Sequence, residues 1–199
     1  MHFKEKYVSR SEKSYGNTSE SFYLLSEKLS FLKSPGIWPE KPDHVIARET
    51  HMSWVFLTGI YTWKLKKPIK LNSILDFSTL EKREYCCREE LRLNRRLAPD
   101  IYLDVVPLVR DIQGRFSIGG AGEIRGEIVD WLVRMKQLPA DATLQVRLEN
   151  GSLDEQDIKA VAATLIRFFE TAERAEIMPQ EYINRFKETI DYRTLCKRL

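Results

Sequence analysis

Hydrophobic positions recur along this chain with two different periods, and the change between them divides it. Phe22, Leu25, Leu29 and Leu32 fall three or four apart, which predicts a short amphipathic helix. Ser34-Pro35-Gly36 stops it, and the stretch from Trp38-Pro39 to Lys41-Pro42 reads as a rigid extended connector. From His44 the period shortens to two. Residues 45–48 predict a first strand, 53–58 a second and 60–66 a third, with Thr58-Gly59 as a turn and Pro68 ending the run. Ser78 with Glu81 makes an S-x-x-E capping box, so a helix should start there and run to about Leu97, before Pro99. Residues 105–109, 116–118 and 128–135 predict further strands, with a turn at Gln113-Gly114. The glycine-rich stretch 119–126 has no helix after it, so it reads as a flexible hairpin and not as a phosphate cradle.

After Pro139 only helical spacing remains. Leu144 and Leu148 suggest a short helix, and Ser152 with Glu155 forms a second capping box. Ile158, Val161, Ala162, Leu165, Phe168, Phe169 and Ala172 then make one apolar stripe, expected to face a core. Tyr182, Ile183, Phe186 and Ile190 suggest a last helix ending near Leu199. Strands with one inserted helix, followed by helices alone, predict an α+β fold: a sheet lobe and then a helical lobe.

Composition narrows the class without naming a chemistry. A length of 199 residues with 43% hydrophobic content suits one soluble domain or slightly more. The 32 basic and 29 acidic residues nearly cancel to +3, so charge alone points to neither nucleic acid nor a membrane surface. Cys86, Cys87 and Cys196 lack metal-ligand spacing and read as reduced thiols. Residues 1–18 are polar and read as a disordered or loosely held tail. The first ten residues have no apolar segment of the signal-peptide kind, and no apolar run approaches membrane-spanning length. A cytoplasmic location is the expectation.

Two charged residues stand out against the apolar pattern. With about 100° per residue, Glu90 falls among Cys86, Cys87, Leu93 and Leu97, whereas Glu89 falls among Lys82, Tyr85, Arg92 and Arg96. An unpaired buried carboxylate costs several kcal/mol, so Glu90 needs a cation. Lys64 is the candidate. Strand alternation puts it on one side with Thr62 and Lys66, while Tyr61, Trp63 and Leu65 face the other. Lys66 and Lys67 lie nearer the Pro68 exit and are expected to be more exposed. The residues alone leave open a Lys64 that snorkels to solvent and a Glu90 paired with an arginine.

Three segments carry a family likeness: E-T-H-M-S-W-V-F-L-T-G-I-Y-T-W-K-L-K-K-P, L-D-F-S-T-L-E-K-R, and E-E-L-R-L-N-R-R-L-A-P-D-I-Y-L-D-V-V-P-L. With W-L-V-R-M-K-Q-L-P, they resemble the aminoglycoside phosphotransferase-like kinases over roughly residues 38–190. The likeness is to an uncharacterised bacterial-type branch in which such a domain often precedes a P-loop ATP-binding domain. It implies a protein-kinase-like, antiparallel-sheet N-lobe with one inserted helix over residues 38–138. Residues 139–199 would be the first helices of an incomplete C-lobe, and 1–37 a polar tail and short helix. The implied cofactors are ATP and Mg²⁺. Lys64 would contact the α/β-phosphates and Glu90 would orient it, as the two catalytic-site residues. Thr62 would lie under adenine, and Thr50, His51 and Ser53 would lie over the phosphates. Val133, Arg134 and Lys136 would belong to the interlobe hinge, with Arg134 and Lys136 contacting adenine through their backbone. His51 as a plain turn residue, Ser53 as a strand start and Arg134 as strand decoration are the alternatives.

The likeness has one gap. The family's catalysis uses an aspartate in an H-x-D-x-x-x-x-N loop and a second, metal-binding aspartate. His2, His44 and His51 all lie in the first third, and Asp191 sits in I-D-Y-R with neither partner residue. Ligands for the metal are therefore not expected in this chain. The expectation is the nucleotide-binding portion of a small-molecule kinase, truncated and unable to transfer phosphate alone. Its partners would be a nucleotide and an unknown small-molecule acceptor. Exposed apolar surface around Phe168, Phe169 and Phe186 would favour self-association. A non-catalytic kinase-like interaction module is the alternative. Nucleic-acid binding through Lys64, Lys66, Lys67, Lys70, Arg92, Arg95 and Arg96 ranks last, because acids interleave them.

Overall fold

The computed structural model describes residues 19–71, 75–119, 125–174 and 176–187, with side chains from residue 24 onward. The polar tail 1–18, the side chain of Phe22, residues 120–124 of the glycine-rich loop, Cys196 and the expected helix beyond 187 lie outside them. The chain divides into two compact units, residues 1–153 and 154–199.

The first unit is built on a six-stranded antiparallel sheet. Its strands are β1 (Ile46–Glu49), β2 (Ser53–Leu57), β3 (Tyr61–Lys66), β4 (Tyr102–Arg110), β5 (Phe116–Ile118) and β6 (Glu127–Lys136). Their spatial order is β1-β2-β3-β6-β4-β5. β6 therefore enters between β3 and β4, pairing Lys64 with Val133 on one side and Val105 with Val133 on the other. Gly59 has φ 88°, which lets the chain reverse between β2 and β3 where a side chain would be strained.

Each side of the sheet receives a helix. On one side α1 (Ser19–Leu32) buries Leu25 and Leu32 against Phe56, Trp63, Leu65, Val106, Leu108 and Leu132. Trp38 joins them, with its ring centroid 5.0 Å from Trp63 and 5.9 Å from Phe56. Burying each such ring contributes about 1.5–3 kcal/mol. The amphipathic helix is thus part of the sheet's own core. On the other side α2 (Leu80–Asn94), inserted between β3 and β4, packs Cys87 on Trp131 and Val133.

α2 differs from the expected helix in three ways. Its N-cap is Thr79, whose hydroxyl accepts from the Lys82 amide, because Ser78 is held instead by the Asp76 carboxylate. It ends at Asn94, whose side-chain amide bonds back to the Glu90 carbonyl. Its buried stripe runs through Arg83 and Cys87 to Glu90, and Leu93 and Leu97 are exposed. A short α3 (Leu144–Glu149) follows β6 in this unit.

The second unit contains α4 (Glu155–Thr171) and a helical segment over residues 179–187. α4 is capped by Asp154 with Asp157 in a reciprocal box; the Ser152–Glu155 box does not form, because the helix begins later. Ser152 bonds to Asn150 instead. The stripe expected to face a core is instead exposed at Ile158, Val161, Leu165 and Phe169 of α4; Phe186 is exposed and Phe168 is half-buried. No helix among the described residues is long and apolar enough to cross a membrane.

Candidate functional site

The side of the sheet that carries α2 is organised in rows. Ile46, Leu57, Thr62, Met135 and Tyr102 pair across β1, β2, β3, β6 and β4, so their side chains share that side. The next row on the same side is Arg48, Val55, Lys64, Val133 and Val105. Ser53 and Lys66 pair one step further along. α2 covers the β6–β4 half. Towards β1, Val55, Leu57 and Thr62 are half-buried and Ile46 is exposed. A partly apolar surface therefore leads up to a lysine.

Lys64 Nζ donates to Glu90 Oε1 at 2.9 Å, and Lys66 Nζ donates to the other oxygen, Oε2. The contact expected from helix and strand geometry is present. The side chains of Lys64, Glu90 and Lys66 are 25%, 15% and 11% exposed, so Lys64 is the outermost of the three. Lys64 also lies 5.7 Å from the Tyr102 ring centroid, and Lys66 lies 5.5 Å from that of Phe77. Burial alone pulls the Lys64 ammonium down, but the Glu90 charge and hydrogen bond outweigh it, and its pKa stands above the ordinary lysine value. Burial pushes the Glu90 carboxyl up, and the charges and hydrogen bonds of Lys66 and Lys64 overcome that and hold it below the usual range. Glu89, by contrast, bonds Arg92 on the outer face.

Lys66 and Lys67, expected to be the more exposed lysines, are both buried. Alternation puts Lys66 on the side of Lys64, within reach of the same carboxylate. Lys67 is taken by Glu49 and lies 5.9 Å from the Trp54 ring centroid.

The remaining predicted residues divide between near and far. Thr62 lies in the half-buried row, one strand step from Lys64. Ser53 pairs with Lys66, but its amide is held by the Thr50 hydroxyl at 3.0 Å, and the Thr50 amide and hydroxyl both donate to the Ser53 carbonyl. Those donors of the turn are spent internally, and His51 is exposed. Val133 is fully buried beneath α2. Arg134 points to the opposite side, where its guanidinium grips Asp104 at 2.6 and 2.9 Å and lies over the Tyr61 and Trp63 rings. The backbone of 133–136 is inside the ladder: β6 continues through Lys136, whose amide donates to the Ile101 carbonyl. The strand's own hydrogen bonding therefore competes with the expected hinge contacts. The chain leaves the ladder only at Gln137.

A second buried carboxylate escaped the sequence reading. Asp130 on β6 is 2% exposed and accepts from Lys28 Nζ at 2.8 Å and Arg83 Nε at 2.7 Å. It joins α1 to α2. The signal was available: a lone acid in the apolar run I-V-D-W-L-V demands a cation as Glu90 does. Among the described residues, no group of three or more His, Cys, Asp or Glu side chains is placed to hold a metal.

The chain is 35% identical over 127 residues to the uncharacterised proteins Rv2004c and MT2060 of Mycobacterium tuberculosis and Mb2027c of Mycobacterium bovis. The match takes in 64% of this chain but 23% of each relative, so the matched stretch spans about a quarter of their length. No protein-family profile and no solved structure matches the chain.

Proposed function

We propose that this chain is the nucleotide-binding portion of an aminoglycoside phosphotransferase-like small-molecule kinase. The observation that carries the reading is the Lys64–Glu90 contact, made from the third strand to the helix that follows it. Protein kinases hold nucleotide phosphates with a lysine on the third strand and a glutamate on the helix inserted after it. Support also comes from the row beside Lys64, exposed Ile46 and half-buried Leu57, Thr62 and Met135, which suits a flat base next to an anion.

In this reading the Lys64 ammonium donates to phosphate oxygens and Glu90 fixes its direction. Thr62 and Leu57 exclude water from one face of the base. Mg²⁺ would neutralise phosphate charge when bound. The described residues contain no cluster suited to hold it, and no step is assigned to it. The role of these residues is to hold the nucleotide.

Thermal unfolding with added ATP or ADP tests it. ATP at millimolar concentration should raise the melting temperature of the wild type and leave Lys64→Ala unmoved. An unmoved wild type would overturn the nucleotide reading in favour of a non-catalytic interaction module.

A further inference from the structure

One carboxylate serving two ammonium groups is not electrically closed. Lys64 and Lys66 bring two positive charges to Glu90, which returns one. The other acids nearby are occupied. Asp76 accepts from Lys82 at 2.7 Å and lies 3.5 Å from Lys70, and Glu49 pairs with Lys67. Among the described residues, Glu90 is the acid paired with either lysine. Position distinguishes the two. Lys66 is the more deeply buried and sits against Phe77, while Lys64 is more exposed and borders the half-buried row.

We infer that Lys66 neutralises Glu90 and thereby leaves Lys64 with an unopposed positive charge for a polyphosphate ligand. Lys66 is then a charge-setting residue that touches no ligand itself. The inference rests on the nucleotide reading for the identity of the ligand, and on the two ion pairs alone for its electrostatics. A lone Lys–Glu pair must be weakened before its lysine can serve an anion. A Lys–Glu–Lys cluster keeps its carboxylate compensated while the outer lysine turns to the ligand.

The experiment is calorimetric titration of the full chain with inorganic tripolyphosphate and, separately, with ATP, at two salt concentrations. Lys66→Met keeps length and apolar bulk while removing the charge. It should weaken tripolyphosphate binding roughly tenfold and flatten its salt dependence. Lys66→Arg should recover most of the loss, which a purely structural role would not predict. If Lys66 acts by neutralising Glu90, the two are coupled: Lys66→Met should cost much less tripolyphosphate affinity in a Glu90→Gln background than in the wild type. Where Lys66→Met fails to fold, Lys66→Gln, which keeps a polar group beside Glu90, should show the same loss.

Wild-type affinity in folded Lys66→Met, or an equal loss on Lys66→Met with and without Glu90→Gln, overturns the inference. If ATP binds and Lys66→Met changes nothing, the inference falls and the nucleotide reading stands. If tripolyphosphate binds in a Lys66-dependent way and ATP does not bind, the charge assignment holds and the nucleotide reading falls. If the wild type binds no polyanion, both fall.

Discussion

At Glu90 the two shifted groups define a pH window. Its carboxyl has a lower pKa folded than the ordinary 4.5, so its contribution to stability is complete above about that pH and is lost as pH falls through the folded value. Lys64 has a higher pKa folded than 10.5, so its contribution is complete below that pH and is lost as pH rises through the folded value. Glu90→Gln should therefore be less stable than wild type between these limits, and the gap should shrink in acid. Urea unfolding from acid to neutral pH measures this; a gap that persists unchanged in acid would contradict the pairing. Burial likewise pushes the Cys87 thiol up to about 12, on the face of α2 turned to the sheet and against the Trp131 carbonyl. A thiol reagent at mildly alkaline pH should leave Cys87 unmodified until denaturant opens the unit, because the thiolate is the nucleophile. Prompt labelling of Cys87 in the native protein would refute its placement. The Glu90 position was legible in sequence because helix angle separates it from Glu89. Lys66 was misjudged because proximity to a strand end was weighed above alternation, which put it beside Lys64.

Elements were easier to find than their ends. Both capping boxes written in the sequence yielded to a neighbouring residue. Asp76 captures Ser78 and leaves Thr79 to cap α2, while Asp154 replaces Ser152 at α4. Serine and threonine at consecutive positions carry equal cap signals, and only the partner settles which is used. Thr79→Ala should therefore cost about 1 kcal/mol, as caps generally do, and Ser78→Ala less. Denaturant unfolding of the two variants decides it, and a larger loss at Ser78 would move the helix start. The strands appeared where alternation predicted them, but β6 extends through Lys136 because β3 and β4 both pair with it. The local pattern already reads 128–135 as a strand; the hinge at 133–136 is what the family likeness implies for the end of that strand.

At the level of the whole molecule, the sheet, α1, α2 and both buried ion clusters fall within residues 1–153. A fragment ending at Leu153 should therefore unfold cooperatively by circular dichroism, with a midpoint within a few degrees of the sheet transition in the full chain. Failure of that fragment to fold would mean that residues 154–199 are needed for the sheet. The α+β class and the one inserted helix were legible from the order of periods; the seating of α1 on the sheet was not, since it depends on contacts distant in sequence. Asp130 gives this arrangement a further property. Its two oxygens accept from cations on helices that lie on different sides of the sheet, so releasing either helix takes a charged donor away from a buried carboxylate. The helices should come loose together: amide exchange in α1 and α2 ought to share one opening free energy, and Asp130→Asn ought to split it into two.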